Sequence, residues 1–272
     1  SAMIQHTTGA RNIAIGHSAM DDTDAGSNSL NSSDNIFIGS HAGAGTWTNV
    51  LSQYNIGIGT NTLDGGLDGA DYNVMIGYGA GSAITTGERS IGIGGSALLS
   101  ATTSTLNTAV GMDVLKVNTA NYNTAMGHDA GKANTTGESN VFIGESCGDS
   151  ITTANNNVGV GAWALSAATT NGNNTCVGRD SGYNQTGNGN TGIGYRSMGY
   201  ANTATGQRNT ALGMEAMRSH TSGSYNVTAG YQAGFYLTTA DECVLIGSQA
   251  GVYLTTGSNN VAMGSNALFT FT

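Results

Sequence analysis

Residues 134–148 read NTTGESNVFIGESCG, and a blurred copy of this phrase returns about every seventeen residues to the end of the chain. Taking the Gly that closes the apolar run as zero, it falls at Gly16, Gly39, Gly59, Gly77, Gly94, Gly111, Gly127, Gly144, Gly161, Gly178, Gly194, Gly213, Gly230, Gly247 and Gly264. The early spacings are 23, 20 and 18 residues, and the later ones hold between 16 and 19 with a mode of 17. A period near twenty over fifteen copies is the signature of a solenoid, in which each repeat is one coil.

Each column of the repeat has its own chemistry. Four before the Gly stands Asn, at Asn12, Asn35, Asn55, Asn73, Asn107, Asn123, Asn140, Asn157, Asn174, Asn190, Asn209, Asn226 and Asn260, with Ser90 and Cys243 as exceptions. Three before it the residue is always β-branched, and one before it always apolar, as in Val141 and Ile143. The residue between them varies freely. Constraint alternating over three residues is the period of a short β-strand, and Val141 and Ile143 read as its buried side. Three after the Gly the residue is almost always small (Ala19, Cys147, Ser181), and the next is Gly or a large apolar residue. Eight after it comes Thr in eleven of the last twelve units, often within Thr-Thr-Gly, whose Gly suits a turn with positive φ.

The expected fold is therefore all-β: a parallel β-solenoid of about fifteen coils, with residues 1–8 as a cloning remnant and lead-in, 9–72 as coils with longer inserted loops, and 73–272 as the regular array. Like residues would sit about 4.8 Å apart along the axis, so Asn stacks on Asn as an amide ladder and Thr pairs hydroxyls with Thr. Each coil offers only two or three large apolar side chains. Against roughly 1.5 kcal/mol of ordering entropy per residue that core is thin, so a homo-oligomer is expected.

The form Asn-[Val/Thr]-x-Ile-Gly-x-x-Ala, as in NIAIGHSA, NTAMGHDA and NVAMGSNA, resembles the head repeat of trimeric autotransporter adhesins, and the longer form with TTG is similar to repeats of phage tail fibres. The resemblance covers about residues 9–272. It implies left-handed β-rolls, side by side or intertwined as a homotrimer, in a virion tail fibre or on a cell surface, with a host-surface glycan or protein as partner. The longer coil and the TTG turn depart from the adhesin head and favour the tail-fibre branch.

Composition narrows the function further. Charged residues make up 9% of the chain, there are 43 Gly and no Pro, and the net charge is −9 with eight Lys plus Arg. That balance argues against a nucleic-acid partner or an anionic membrane surface, and no apolar run is long enough to insert in a bilayer. Cys147, Cys176 and Cys243 read as small buried residues. Glycine pairs such as Gly192–Gly194 and Gly77–Gly79 belong to the repeat and lack the following helix that a phosphate loop needs. No cofactor is implied.

His6, His17, His41, His128 and His220 read as surface or hydrogen-bonded side chains, although a His17 or His128 column facing a threefold axis could gather three copies around a metal. The acidic clusters Asp21–Asp24 and Asp64–Asp71 read as solvated turns rather than calcium loops, whose ligand spacing they lack. The acids Glu88, Glu138, Glu145, Asp149 and Glu215 do not recur in one column, so no paired-carboxylate or triad catalysis is expected and the chain reads as no enzyme. Candidate receptor or glycan contacts are Trp47, Tyr54, Tyr72, Tyr122, Tyr183, Tyr200 and Tyr225, because exposed aromatics stack on sugars and anchor interfaces. Phe235, Tyr236 and Tyr253 lie in the same variable arc. The leading expectation is a rigid fibre segment for host attachment. An ice-binding Thr-ladder solenoid and a glycan-degrading tailspike are the alternatives.

Overall fold

The computed structural model describes residues 9–21, 31–48, 50–168, 170–200 and 204–269. His6, Asp22, Thr23, Asp24 and the end from Thr270 to Thr272 lie outside these. Fifteen three-residue strands form among the described residues, one before each repeat Gly. The chain divides into two blocks, residues 1–139 and 140–272. In the first, β1 (Ile13–Ile15) through β7 (Thr124–Met126) pair in chain order, all parallel and residue for residue in register. In the second, β8 (Val141–Ile143) through β15 (Val261–Met263) do the same. Each block is a parallel β-solenoid, as the repeat predicts.

The strand faces are opposite to the expected ones. In nearly every strand the middle residue is buried and its two neighbours are half-exposed or exposed; Phe142 is fully buried while Ile143 faces out. The uniformly β-branched and apolar columns thus point away from the coil interior. The interior comes from the middle residue together with the two residues three and four after the Gly, among them Ala97 and Leu98.

The middle residue is not free either, because its volume trades with the residue four after the Gly. Where the strand centre is Phe37, Met75, Phe142 or Leu245, the later position is Gly43, Gly81, Gly148 or Gly251, and a Cβ there would press into that same side chain. Where the centre is Gly57, Gly92 or Gly159, the later position is Leu63, Leu98 or Leu165, all fully buried. One large side chain fills each cross-section from one wall or the other, which is close packing achieved in one layer. The exceptions are the coils of Ala125 with Gly131, Cys176 with Gly182 and Thr228 with Gly234, which have no large residue at either position.

The Asn ladder forms, chiefly through the backbone. Asn55 N donates to Asn35 Oδ1 at 2.9 Å, Asn73 N to Asn55 Oδ1 at 3.0 Å, and in the second block Asn174 N to Asn157 Oδ1 at 3.0 Å and Asn190 N to Asn174 Oδ1 at 2.9 Å. The Asn Nδ2 groups close the coil by donating to turn carbonyls, such as Asn73 to Gly87 O and Asn226 to Ala240 O. Ser90 keeps the ladder intact, since its Oγ accepts from Asn107 N at 3.2 Å. Replacing Asn174 with Ala should strand the buried Asn190 N–H at a cost of about 2 kcal/mol, and Asn174→Ser should recover part of it as Ser90 does, both read from urea midpoints.

Two turn expectations are corrected. The Thr hydroxyls do not pair with each other; they donate to the Thr carbonyl of the next coil, as Thr119 does to Thr135 O at 3.0 Å and Thr221 to Thr238 O at 2.8 Å. The Gly of Thr-Thr-Gly does not carry the positive φ. Gly87 is needed because a Cβ would lie 2.5 Å from Ser104 O, whereas the left-handed residue is Arg89, φ 54°, two positions later. The same left-handed column holds Tyr54, Tyr72, Leu106, Tyr122 and Tyr225.

Candidate functional site

The seven aromatic candidates separate into three groups. Trp47 is a core residue: it is fully buried, packs edge-on against Phe37 with centroids 5.8 Å apart, and donates from Nε1 to Gly43 O at 3.0 Å. Its inserted segment folds back under the coil, as does that of Leu67, so Trp47 is withdrawn as a surface contact. Tyr54, Tyr72, Tyr122 and Tyr225 are exposed, each projected by a left-handed backbone just before the Asn ladder. Tyr54 and Tyr72 stack with centroids 4.8 Å apart, and Tyr225 OH accepts from Arg208. Tyr183 and Tyr200 are half-buried neighbours on the arc that follows the Gly, with centroids 5.8 Å apart.

That arc carries a feature the sequence reading missed. Arg179 lies over Trp163 at 4.9 Å, Arg196 over Tyr200 at 4.3 Å and over Tyr195 at 4.8 Å, and Arg218 over Tyr200 and Phe235 at 5.3 Å each. The buried Asp180 carboxylate serves two guanidinium groups, 3.3 Å from Arg196 Nε and 3.7 Å from Arg179 Nε. The legible signal was spacing: Tyr183, Tyr200, Phe235, Tyr236 and Tyr253 recur at about one coil length, with Arg218 standing in the file.

The histidines serve different roles. His17 and His41 meet edge to face at 5.3 Å. With Ala44, Gly45, Asn61 and Asp64, His41 lines an open cleft of about 300 Å³. Burial pushes the Asp64 carboxyl above its ordinary range, against the pull of a backbone hydrogen bond and of His41. His128 lies 3.7 Å from Asp129. His220 is fully buried inside its coil, with Nε2 2.7 Å from Gly223 O and no hydrogen-bond partner for Nδ1 among the described residues.

The acidic inserts act as axial clips. Asp68 Oδ1 accepts from Val50 N at 3.0 Å and Asp71 Oδ1 from Gln53 N at 2.6 Å. Among the described residues no group of three or more His, Cys, Asp or Glu side chains could hold a metal ion. Burial pushes the thiols of Cys147 and Cys176 up to about 12, so both stay protonated and unreactive at neutral pH. No helix among the described residues is long and apolar enough to cross a membrane.

What these features can do is hold and present. The outward strand face offers apolar side chains in two axial files, and the following arc offers rings and guanidinium groups. No protein-family model, curated protein or solved structure matches the chain.

Proposed function

We propose that the chain is a segment of a homotrimeric fibre, in a phage tail or on a cell surface, that forms a stiff scaffold and mediates or displays host attachment. The observation that carries this reading is the outward apolar stripe. Ile15 is 58% exposed and Ile193 43%, and every coil repeats the pair of apolar or β-branched residues at the same two positions. Monomeric proteins rarely leave so long a contiguous apolar surface in water. A partner covering it must repeat at the coil spacing of about 4.8 Å, and a further copy of this chain has that repeat. Covering the stripe also supplies the burial that a thin coil interior lacks.

Light scattering with cross-linking tests the reading. The expected mass is three times the 27.4 kDa of one chain, and a monomer overturns the fibre. Ile193→Glu with Leu212→Glu should shift the assembly toward monomer, since charges on a covered apolar face cost several kcal/mol, of the order of 3. Against the ice-binding alternative, the Thr hydroxyls donate to backbone carbonyls, as Thr238 does to Thr255 O at 3.0 Å. Thermal hysteresis of the purified protein would revive that alternative, and release of reducing ends from host polysaccharide would revive the tailspike.

A further inference from the structure

In the second block an aromatic file runs along the axis on the arc after the Gly, on a different side of the coil from the apolar stripe. Tyr183 and Tyr200 begin it, Arg218 bridges Tyr200 to Phe235 at 5.3 Å from each ring, Phe235 meets Tyr236 at 4.6 Å, and Tyr236 meets Tyr253 at 5.6 Å. Phe269 continues the file 5.4 Å beyond Tyr253. Apart from Phe235 and Tyr236, which share a coil, consecutive members stand about one coil apart, so the file has the periodicity of the β-ladder rather than that of a single pocket.

The guanidinium groups of this file are partly exposed, each side chain at 28%. The Arg196 side chain makes one hydrogen bond among the described residues, from Nε to Asp180 at 3.3 Å, and its Nη groups make none there. Arg218 approaches Glu215 only at 3.7 Å, and its buried Nε has no partner among the described residues. Both guanidinium groups lie over aromatic rings, and their Nη N–H groups are the donors left for an oxyanion. Tyr236 is 43% exposed and Tyr253 50%, with phenol groups able to donate and accept.

We infer that this file binds an acidic polysaccharide, laid along the solenoid axis, with its carboxylate or sulfate groups on Arg196 and Arg218 and its hydroxyls on Tyr236 and Tyr253. The coil spacing of about 4.8 Å is on the scale of one sugar unit, so a polymer laid along the axis can reach the cationic and the phenolic members in turn. Single-stranded nucleic acid is the other anionic polymer to weigh, but it binds by stacking bases on free ring faces. Here those faces are taken: Tyr236 and Tyr253 lie nearly parallel against each other at 11°, and guanidinium groups cover Tyr200 and Phe235. The inference rests on the attachment reading for its biological sense and not on the trimer for its chemistry.

The test is affinity electrophoresis of the full chain through gels containing polygalacturonate, heparin or neutral dextran, with fluorescent oligo-dT run in parallel. Retardation by at least one acidic polysaccharide and none by dextran is expected. Arg196→Gln with Arg218→Gln should weaken it roughly tenfold or more, as loss of two charge-assisted contacts implies. Arg208→Gln, off the file, should bind as the parent does. If the double variant loses its β-sheet circular dichroism, Tyr236→Phe with Tyr253→Phe replaces it and should weaken retention severalfold. No retardation by either acidic polymer, unchanged binding in a folded file variant, or tighter binding of oligo-dT overturns the inference. A monomeric protein that still binds polygalacturonate sinks the trimer and leaves this site standing; a trimer that binds neither acidic polymer does the reverse.

Discussion

Gly77→Ala should abolish folding of the first block or destabilise it by about 4 kcal/mol or more, while Gly95→Ala should be nearly silent. Gly77 belongs to the Gly column that all fifteen repeats share, whereas Gly95 stands one after it in a column that varies. Gly77 sits at φ 133°, where an L side chain is strained, and a Cβ would lie 2.6 Å from both the carbonyl carbon and oxygen of Gly94. Those are backbone atoms, so relief requires the coils themselves to separate, and separation breaks the hydrogen bond from Gly94 N to Ile76 O at 2.7 Å. The same stacking recurs from Gly to Gly along each block, for example between Gly144 and Gly161. At Gly95 the nearest atom to a new Cβ is Met112 Cγ at 3.9 Å, an ordinary contact with a flexible side chain. Thermal unfolding of the two variants side by side separates backbone stacking from mere loss of glycine; equal Tm values would refute the stacking account.

The repeat made the architecture legible because its period, strand length and Asn column each have one physical meaning. It did not reveal which side of the strand faces inward. A period of two distinguishes the faces without naming them, and uniform apolar chemistry at Val141 and Ile143 invited the wrong assignment. The interior tolerates variety at Phe37, Gly57 and Cys176 because volume is shared with Gly43, Leu63 and Gly182 across the coil. The outer columns have no such exchange, so they stay uniform. That uniformity is itself a reason to expect a repeating surface against them. Left-handed backbone at Leu106 or Tyr122 was invisible because neither residue type advertises it. Trp47 was misjudged because an insertion reads as a loop until it is seen to fold back into the core. Of the candidate surface, the tyrosines were legible as exposed aromatics, whereas the arginines Arg196 and Arg218 came to notice only once the coils aligned them with Tyr200.

Acid should weaken the second block through His220, by roughly 2 to 3 kcal/mol between pH 7.5 and about pH 4.5. Burial lowers its imidazole from the ordinary 6.5 to about 4, because the interior cannot solvate the cation. The neutral ring donates from Nε2 to Gly223 O, and a proton added at Nδ1 would point to no acceptor among the described residues. Between those two pKa values the unfolded chain holds the proton and the folded chain does not. Stability is therefore complete above pH 6.5, falls as the pH drops toward 4, and falls no further below it on this residue's account. Asp64 and Asp71 in the first block work the other way, since burial raises their carboxyls and the fold favours their protonated forms. A comparison with His220→Asn cancels such background. Asn fits the position, because Asn118 occupies the same column in a coil that also has a large residue, Leu115, at the earlier interior site. Urea midpoints of the parent should drop between pH 7.5 and 4.5 by clearly more than those of the variant; parallel pH profiles would mean that the buried imidazole is protonated in the fold and that its isolation from solvent has been misread.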